Sequence, residues 1–169
     1  TDTDLFKPNK DVRYSVRQEH CISGNDFVVI YTGKLIESKG AKLLANAFKN
    51  KLTNMRGKAV VLLCVGNTEG IYGNQVEEIF LGSENRVIRF PTQNYRNLSK
   101  FYQAADISVF PKECSLSFFD AQACGLPVVS EDNSINVDRL QNNNGFNFES
   151  GNIEDFRNKI LRCVETDED

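Results

Sequence analysis

Short apolar runs recur along the chain at DFVVIYTG (26–33), KAVVLLCVG (58–66), RVIRF (86–90), DISVF (106–110) and LPVVS (126–130), with a sixth at NGFNFE (144–149). They are apolar almost throughout and rich in β-branched residues, which is the pattern of strands covered on both faces. Segments of helical period lie between them. SKGAKLLANAFKNKL carries Leu43, Leu44, Ala47, Phe48 and Leu52 in one stripe, with Ser38 placed as its N-cap. NYRNLSKFYQAAD puts Leu98, Phe101, Tyr102 and Ala105 on one side, and NIEDFRNKILRCVETD does the same with Ile153, Phe156, Ile160 and Val164. NKDVRYSVRQEHC, NQVEEIFLG (stopped by Gly82) and the short SFFDAQACG complete the set. Strands alternating with helices predict an α/β domain with a parallel sheet between two helical layers. No repeat or internal linker interrupts it, so one domain is expected over residues 1–169.

Several function classes are disfavoured by composition. A net charge of −3 lacks the basic excess that nucleic-acid and membrane partners need. The opening TDTDLFKPNK has no apolar core of a leader peptide, and no run is long enough to span a bilayer. The five cysteines are odd in number and show no Cys-x-x-Cys pair, so reduced thiols and no metal centre are expected, with Cys64 and Cys124 in the core. His20 is the one histidine and stands in a polar segment, a poor place for a triad or a metal ligand.

In a parallel sheet, ligands bind beyond the C-terminal ends of the strands, near the point where strand order reverses. After Gly33 comes KLIESKG, with Lys34 and Lys39 just as a helix begins. Cations at a helix start oppose its dipole unless an anion lies between them. Either a diphosphate fills that place, or both lysines are solvated and Glu37 is their partner. After Val65, GNTEGIYGN holds three glycines in eight residues, which permits close backbone approach to a ligand and equally suits an ordinary loop. The spacing is neither the dinucleotide-binding Gly-x-Gly-x-x-Gly nor a P-loop, against a nicotinamide dehydrogenase or a P-loop NTPase. After Phe110, PKECSLSFFDAQACG joins Glu113, Ser115 and Ser117 to a helix whose first turns carry Asp120. Exposed amides and two carboxylates there suit a ligand with phosphates and sugar hydroxyls. Ser117 as a cap and Asp120 as a dipole partner would explain the same residues.

With these stretches in order, TDTDLFKP, TGKLIESKG, VVLLCVG, VIRF, NLSKFYQAADISVFPKE, SLSFFDAQACGLPVVS and GNIEDFRNKILRCVETDE, the chain resembles the C-terminal, donor-binding half of group 1, family-4-like retaining glycosyltransferases of the GT-B fold. The resemblance spans essentially the whole chain. It implies a Rossmann-like three-layer α/β/α sandwich with a six-stranded, mainly parallel sheet. It also implies that the N-terminal acceptor domain is absent from this chain, which would bind a donor but turn over little alone.

The resemblance further implies roles for residues. Lys34 and Lys39 hold the donor diphosphate and stabilise the leaving group, with Lys34 replacing the family's arginine. Ile88, Arg89 and Phe90 lie by the base, Asp120 takes the ribose hydroxyls, and Ser115, Leu116 and Ser117 offer amides to phosphate or sugar. Gly33, Gly66 and Asn67 line the donor site, and Glu113 stands for the sugar-contacting acid. The family places seven residues between its two glutamates; here six separate Glu113 from the shorter Asp120, and CSLS replaces Gly-Phe-Gly. A tightened loop and an altered sugar pocket follow.

The resemblance implies no cofactor or metal, a UDP-sugar or GDP-sugar donor, and an acceptor glycan or lipid-linked sugar bound through the missing half. The expected setting is the bacterial cytoplasm, in polysaccharide or lipopolysaccharide assembly, with any peripheral contact to the inner face of the membrane made by that half. A module that kept the half-fold without the chemistry, binding a nucleotide sugar or a protein, is the alternative, supported by the altered acidic motif.

Overall fold

The computed structural model describes residues 1–168; Asp169, the last residue of the expected domain, lies outside the described residues. The strands are β1 (Phe27–Thr32), β2 (Val60–Val65), β3 (Arg86–Phe90), β4 (Ile107–Phe110), β5 (Val128–Glu131) and β6 (Gly145–Phe148). They form one sheet in the order β3-β2-β1-β4-β5-β6. Every pairing is parallel, so the mainly parallel sheet expected is wholly so. Strand order reverses between β1 and β4, which fixes the switch point at the loops after Thr32 and Phe110.

The helices are α1 (Lys10–Glu19), α2 (Ala41–Ala47), α3 (Gly70–Leu81), α4 (Tyr95–Ala104), α5 (Ser117–Ala123), α6 (Ser134–Arg139) and α7 (Ile153–Glu165). Alternate side chains of β1 separate the two cores. Phe27, Val29 and Tyr31 face α2, α3 and α7, with Leu44, Phe48, Val76, Phe80, Phe156 and Ile160. Val28 and Ile30 face α1, α4 and α5, with Val16, Phe101, Tyr102, Phe118 and Ala121. All six residues of β1 and of β2 are buried, as the unbroken apolar runs require. Cys64 and Cys124 are buried as expected, and burial pushes both thiols up to about 12.

Three local expectations are corrected. Ser38 does not cap α2: it lies inside a 3-10 turn, Glu37–Lys39, and Gly40 precedes the helix with φ of 74° and no side-chain cap. A Cβ at Gly40 would lie 3.1 Å from Lys112 Cβ and 3.2 Å from Pro111 Cβ, so the turn packs tightly on the β4 loop, and its left-handed φ favours glycine there. The stripe to Leu52 does not remain helical either. Past Ala47, Ser83 and Asn85 donate to Phe48 O, Glu84 N donates to Lys49 O, and Arg157 donates to Ala47, Asn50 and Lys51 carbonyls. Tertiary partners thus replace the bonds of the next turn. The glycine-rich GNTEGIYGN is mostly not a loop, since α3 begins at Gly70.

Candidate functional site

The floor of the site is where three strand ends meet. Gly33 N donates to Val65 O and Gly66 N to Phe90 O, each at 2.9 Å. A Cβ on Gly66 would sit 1.8 Å from Gly33 O, so backbone meets backbone with nothing between. Asn67 laces the loops above this floor: its carbonyl accepts from Leu35 N at 3.0 Å and its Oδ1 from Thr92 N at 3.1 Å. Buried Tyr31 donates to Lys34 O at 2.9 Å and sets the turn that carries the lysines.

Lys34 is exposed, and the Lys39 stem lies along Gly33, its Cδ 3.8 Å from where a Cβ would stand. Neither lysine forms an ion pair among the described residues, so Glu37 is not their partner. Two unpaired cations therefore stand on one turn at the switch point. Beside them, a groove of about 400 Å³ is lined by Lys39, Glu113, Cys114 and Ser115, and by Asn133 to Asn136. Glu113 is exposed at its rim.

The β4–α5 loop uses some of its amides internally. Ser115 Oγ accepts from Ser117 N at 3.3 Å, and Phe118 and Phe119 donate to Ser115 O and Leu116 O. Ser117 is not the cap expected in the alternative reading: Leu116 precedes α5 and makes no side-chain cap bond. Among the described residues no acceptor meets the amides of Ser115 and Leu116. Unused amides on a loop that shares the groove with an unpaired lysine suit an anion.

The structure places Gly33, Lys34, Lys39, Gly66 and Asn67 beyond the ends of β1 and β2, and Glu113, Ser115, Leu116, Ser117 and Asp120 beyond the end of β4; the groove itself brings together Lys39, Glu113 and Ser115. The β3 residues are at the edge and differ among themselves. Ile88 and Phe90 turn toward the α1/α4 core, where Phe90 packs on Phe101 at 4.6 Å and His20 at 5.0 Å. Arg89 points to the other face and is occupied there. It pairs with Glu77 at 2.7 Å and donates to Cys64 O and Gly66 O. The hydrogen bonds from Arg89 hold the Glu77 carboxyl below its ordinary range despite its partial burial. Arg89 braces the floor from below.

Sequence reasoning missed α6 and what it supplies. Asn133 caps it, accepting from Asn136 N at 3.0 Å. Arg139 then reaches back, donating to Cys114 O at 3.2 Å and Ser115 O at 3.4 Å, and lies over the rings of Phe118 and Phe119. It holds the β4–α5 loop from beneath. The polar stretch EDNSINVDRLQNNNG has no helical stripe; only Asn133 followed by Asn136 and a late arginine could have signalled a short capped helix.

Taken together, this is a Rossmann-like α/β domain, one half of a GT-B fold, with a polar groove bearing Lys39 and Glu113 near its switch point. The chain belongs to the glycosyl transferases group 1 family, whose model matches residues 26–166. It is 30% identical over 138 residues to D-inositol 3-phosphate glycosyltransferase of Corynebacterium jeikeium, a match covering 76% of this chain and 33% of that protein. It is 26% identical over 152 residues to the capsular polysaccharide biosynthesis glycosyltransferase CapM of Staphylococcus aureus, covering 86% of this chain and 38% of that one. The chain therefore spans about a third of the length of these relatives. In fold it matches the crystal structure of Anabaena Alr3699/HepE in complex with UDP and glucose, with a TM-score of 0.82 at 23% identity over 98% of this chain and 46% of that one.

Proposed function

We propose that this chain is the donor-binding part of a retaining glycosyltransferase that moves a sugar from a UDP-sugar or GDP-sugar to an acceptor glycan or lipid-linked sugar. The observation that carries this is the groove that joins Lys39, on the turn with the equally unpaired Lys34, to Ser115 of the β4–α5 loop, where the amides of Ser115 and Leu116 are unused. A diphosphate placed there meets positive charge on one side and N–H donors on the other. As the bond to the sugar breaks, charge grows on the leaving diphosphate, and pre-set donors stabilise that state more than the ground state. The lysines supply this stabilisation in the proposed mechanism, which requires no cofactor. Lysine at position 34 acts as a point charge rather than as a bidentate fork.

The remaining parts of the reading follow from the same placement. Glu113, on the rim of the groove, faces the donor sugar. Asp120 faces the ribose. The acceptor binds through a segment outside these 169 residues, and the longer enzyme works in the cytoplasm in polysaccharide or lipopolysaccharide assembly, any membrane contact being made by that segment. Named relatives support the reading at the level of sugar transfer and, through CapM, of capsular polysaccharide. The exposed Glu113 and the six-residue spacing to Asp120 favour one second reading, a domain that binds the donor without turnover.

Calorimetric titration with UDP, GDP and their sugar conjugates tests the donor site. One of them is expected to bind saturably, and Lys39→Ala should weaken it by about 1.5–3 kcal/mol, roughly ten- to a hundredfold, through loss of one charge-assisted phosphate contact. Binding that Lys39→Ala leaves unchanged, or no binding at millimolar nucleotide, would contradict the proposal. Turnover by the full-length protein, lost in Glu113→Gln, separates the first reading from the second.

A further inference from the structure

We propose that Tyr95 is part of the ribose-binding group: it orients the Asp120 carboxylate and sets its own hydroxyl oxygen beside it, so that the pair receives the vicinal diol of the nucleoside. The inference deepens the proposed function and rests on it.

Asp120 is one methylene shorter than glutamate and only 6% exposed, so its carboxylate is set back from the surface in the first turn of α5, beyond the C-terminal end of β4. Tyr95, the first residue of α4, is 45% exposed, and its hydroxyl lies 3.1 Å from Asp120 Oδ1. The direction of its proton is fixed. Asp2 N donates to the same hydroxyl oxygen at 3.2 Å, and an ionised carboxylate can only accept, so the single phenolic proton goes to Asp120. That leaves the hydroxyl oxygen with a second lone pair. Asp120 Oδ2 receives no hydrogen bond from the chain among the described residues and is not among its sealed, unpartnered atoms. Two acceptor oxygens thus stand side by side, the arrangement that two neighbouring hydroxyl donors need.

The phenol is also held in place. Its ring packs at 4.9 Å on Phe6, which is fully buried. The segment carrying Phe6 is tied down where Gln103 Nε2 donates to Leu5 O and Lys7 O. Asn94 caps α4 just before Tyr95, accepting from Asn97 N at 2.9 Å. A side chain set by both the N-terminal segment and a capped helix presents its oxygen without much ordering cost on binding. A tyrosine that merely sealed Asp120 would show the same packing, so the test must read the diol.

The test is titration of this chain with UDP and GDP and with their 2′,3′-dideoxy forms, which lack both hydroxyls of the diol. For the nucleotide that binds, the ribose form should be preferred by about tenfold or more, the worth of a hydrogen bond to a charged group. Tyr95→Phe keeps the ring on Phe6 and removes the oxygen. It should weaken the ribose form and leave the dideoxy form nearly unchanged, so that the preference shrinks. Asp120→Asn should shrink it too, and the double variant should lose less than the two single losses combined. A preference that survives Tyr95→Phe intact, or equal losses for both forms, would overturn the inference while leaving the donor site standing. No saturable binding by any of these nucleotides would overturn the proposed function and this inference together.

Discussion

Gly66→Ala is expected to destabilise the chain by about 4 kcal/mol or more, at the extreme of single substitutions. The new Cβ would fall 1.8 Å from Gly33 O, and φ at this position is 149°. Both partners are backbone, so no rotamer change relieves the contact, and the ends of β1 and β2 must part. Those ends are the floor on which Lys34, Lys39 and Asn67 stand. Whatever fraction folds should therefore also bind nucleotide poorly. Chemical denaturation reads the first effect and calorimetry the second. Gly24→Ala is the control, because a Cβ there meets nothing within 4 Å; a loss for Gly66→Ala no greater than the control's would show that the floor is not built on this close approach.

Asp106→Ala is expected to cost about 3–5 kcal/mol, the range for leaving one member of a buried ion pair alone. Its carboxylate accepts from Arg13 at 2.5 Å, Arg17 at 2.8 Å and Val28 N at 2.7 Å. Arg17 is 5% exposed, and its burial lowers its pKa against the pull of Asp106. Without the carboxylate, a buried guanidinium keeps carbonyl partners at Ala104, Ser23 and Asp26 and the weaker pull of the Asp26 carboxylate, but no direct ion-pair partner. The amide of Val28, in the central strand, loses its acceptor as well. Asp106 precedes β4 at the N-terminal edge of the sheet, opposite the crevice. The folded fraction should thus keep its nucleotide affinity. Stability loss together with unchanged affinity separates this bolt from the floor at Gly66; a melt unchanged by Asp106→Ala would contradict the role given to the cluster.

The sheet was legible in the sequence because its signal is local. Apolar runs such as VVIY and VVLLCV leave little choice but a strand covered on both faces, and all six strands form where expected. Helix ends were less legible. The stripe from Leu43 to Leu52 is helical by period, yet α2 stops at Ala47, where Arg157 takes the carbonyl of Ala47 and Ser83 and Asn85 that of Phe48 from far along the chain. Nothing near Ala47 announces those partners. At the site, the two lysines and the β4–α5 loop were found because ligands gather at strand ends. Arg89 was placed with the donor-binding residues; its side chain is engaged by Glu77 and two carbonyls, a commitment visible only once α3 is seen to start at Gly70. Arg139 and Tyr95 escaped notice for the same reason. Each works through a residue more than 20 positions away in sequence, Cys114 in one case and Asp120 in the other.

The most direct test of the whole account is a crystal structure of this chain with saturating UDP or GDP. The account predicts the diphosphate between Lys34 and Lys39 and the amides of Ser115 and Leu116, with the ribose against Asp120 and Tyr95. A nucleotide seated elsewhere, such as against Arg13, Lys58 and Asp106 at the opposite edge of the sheet, would contradict it.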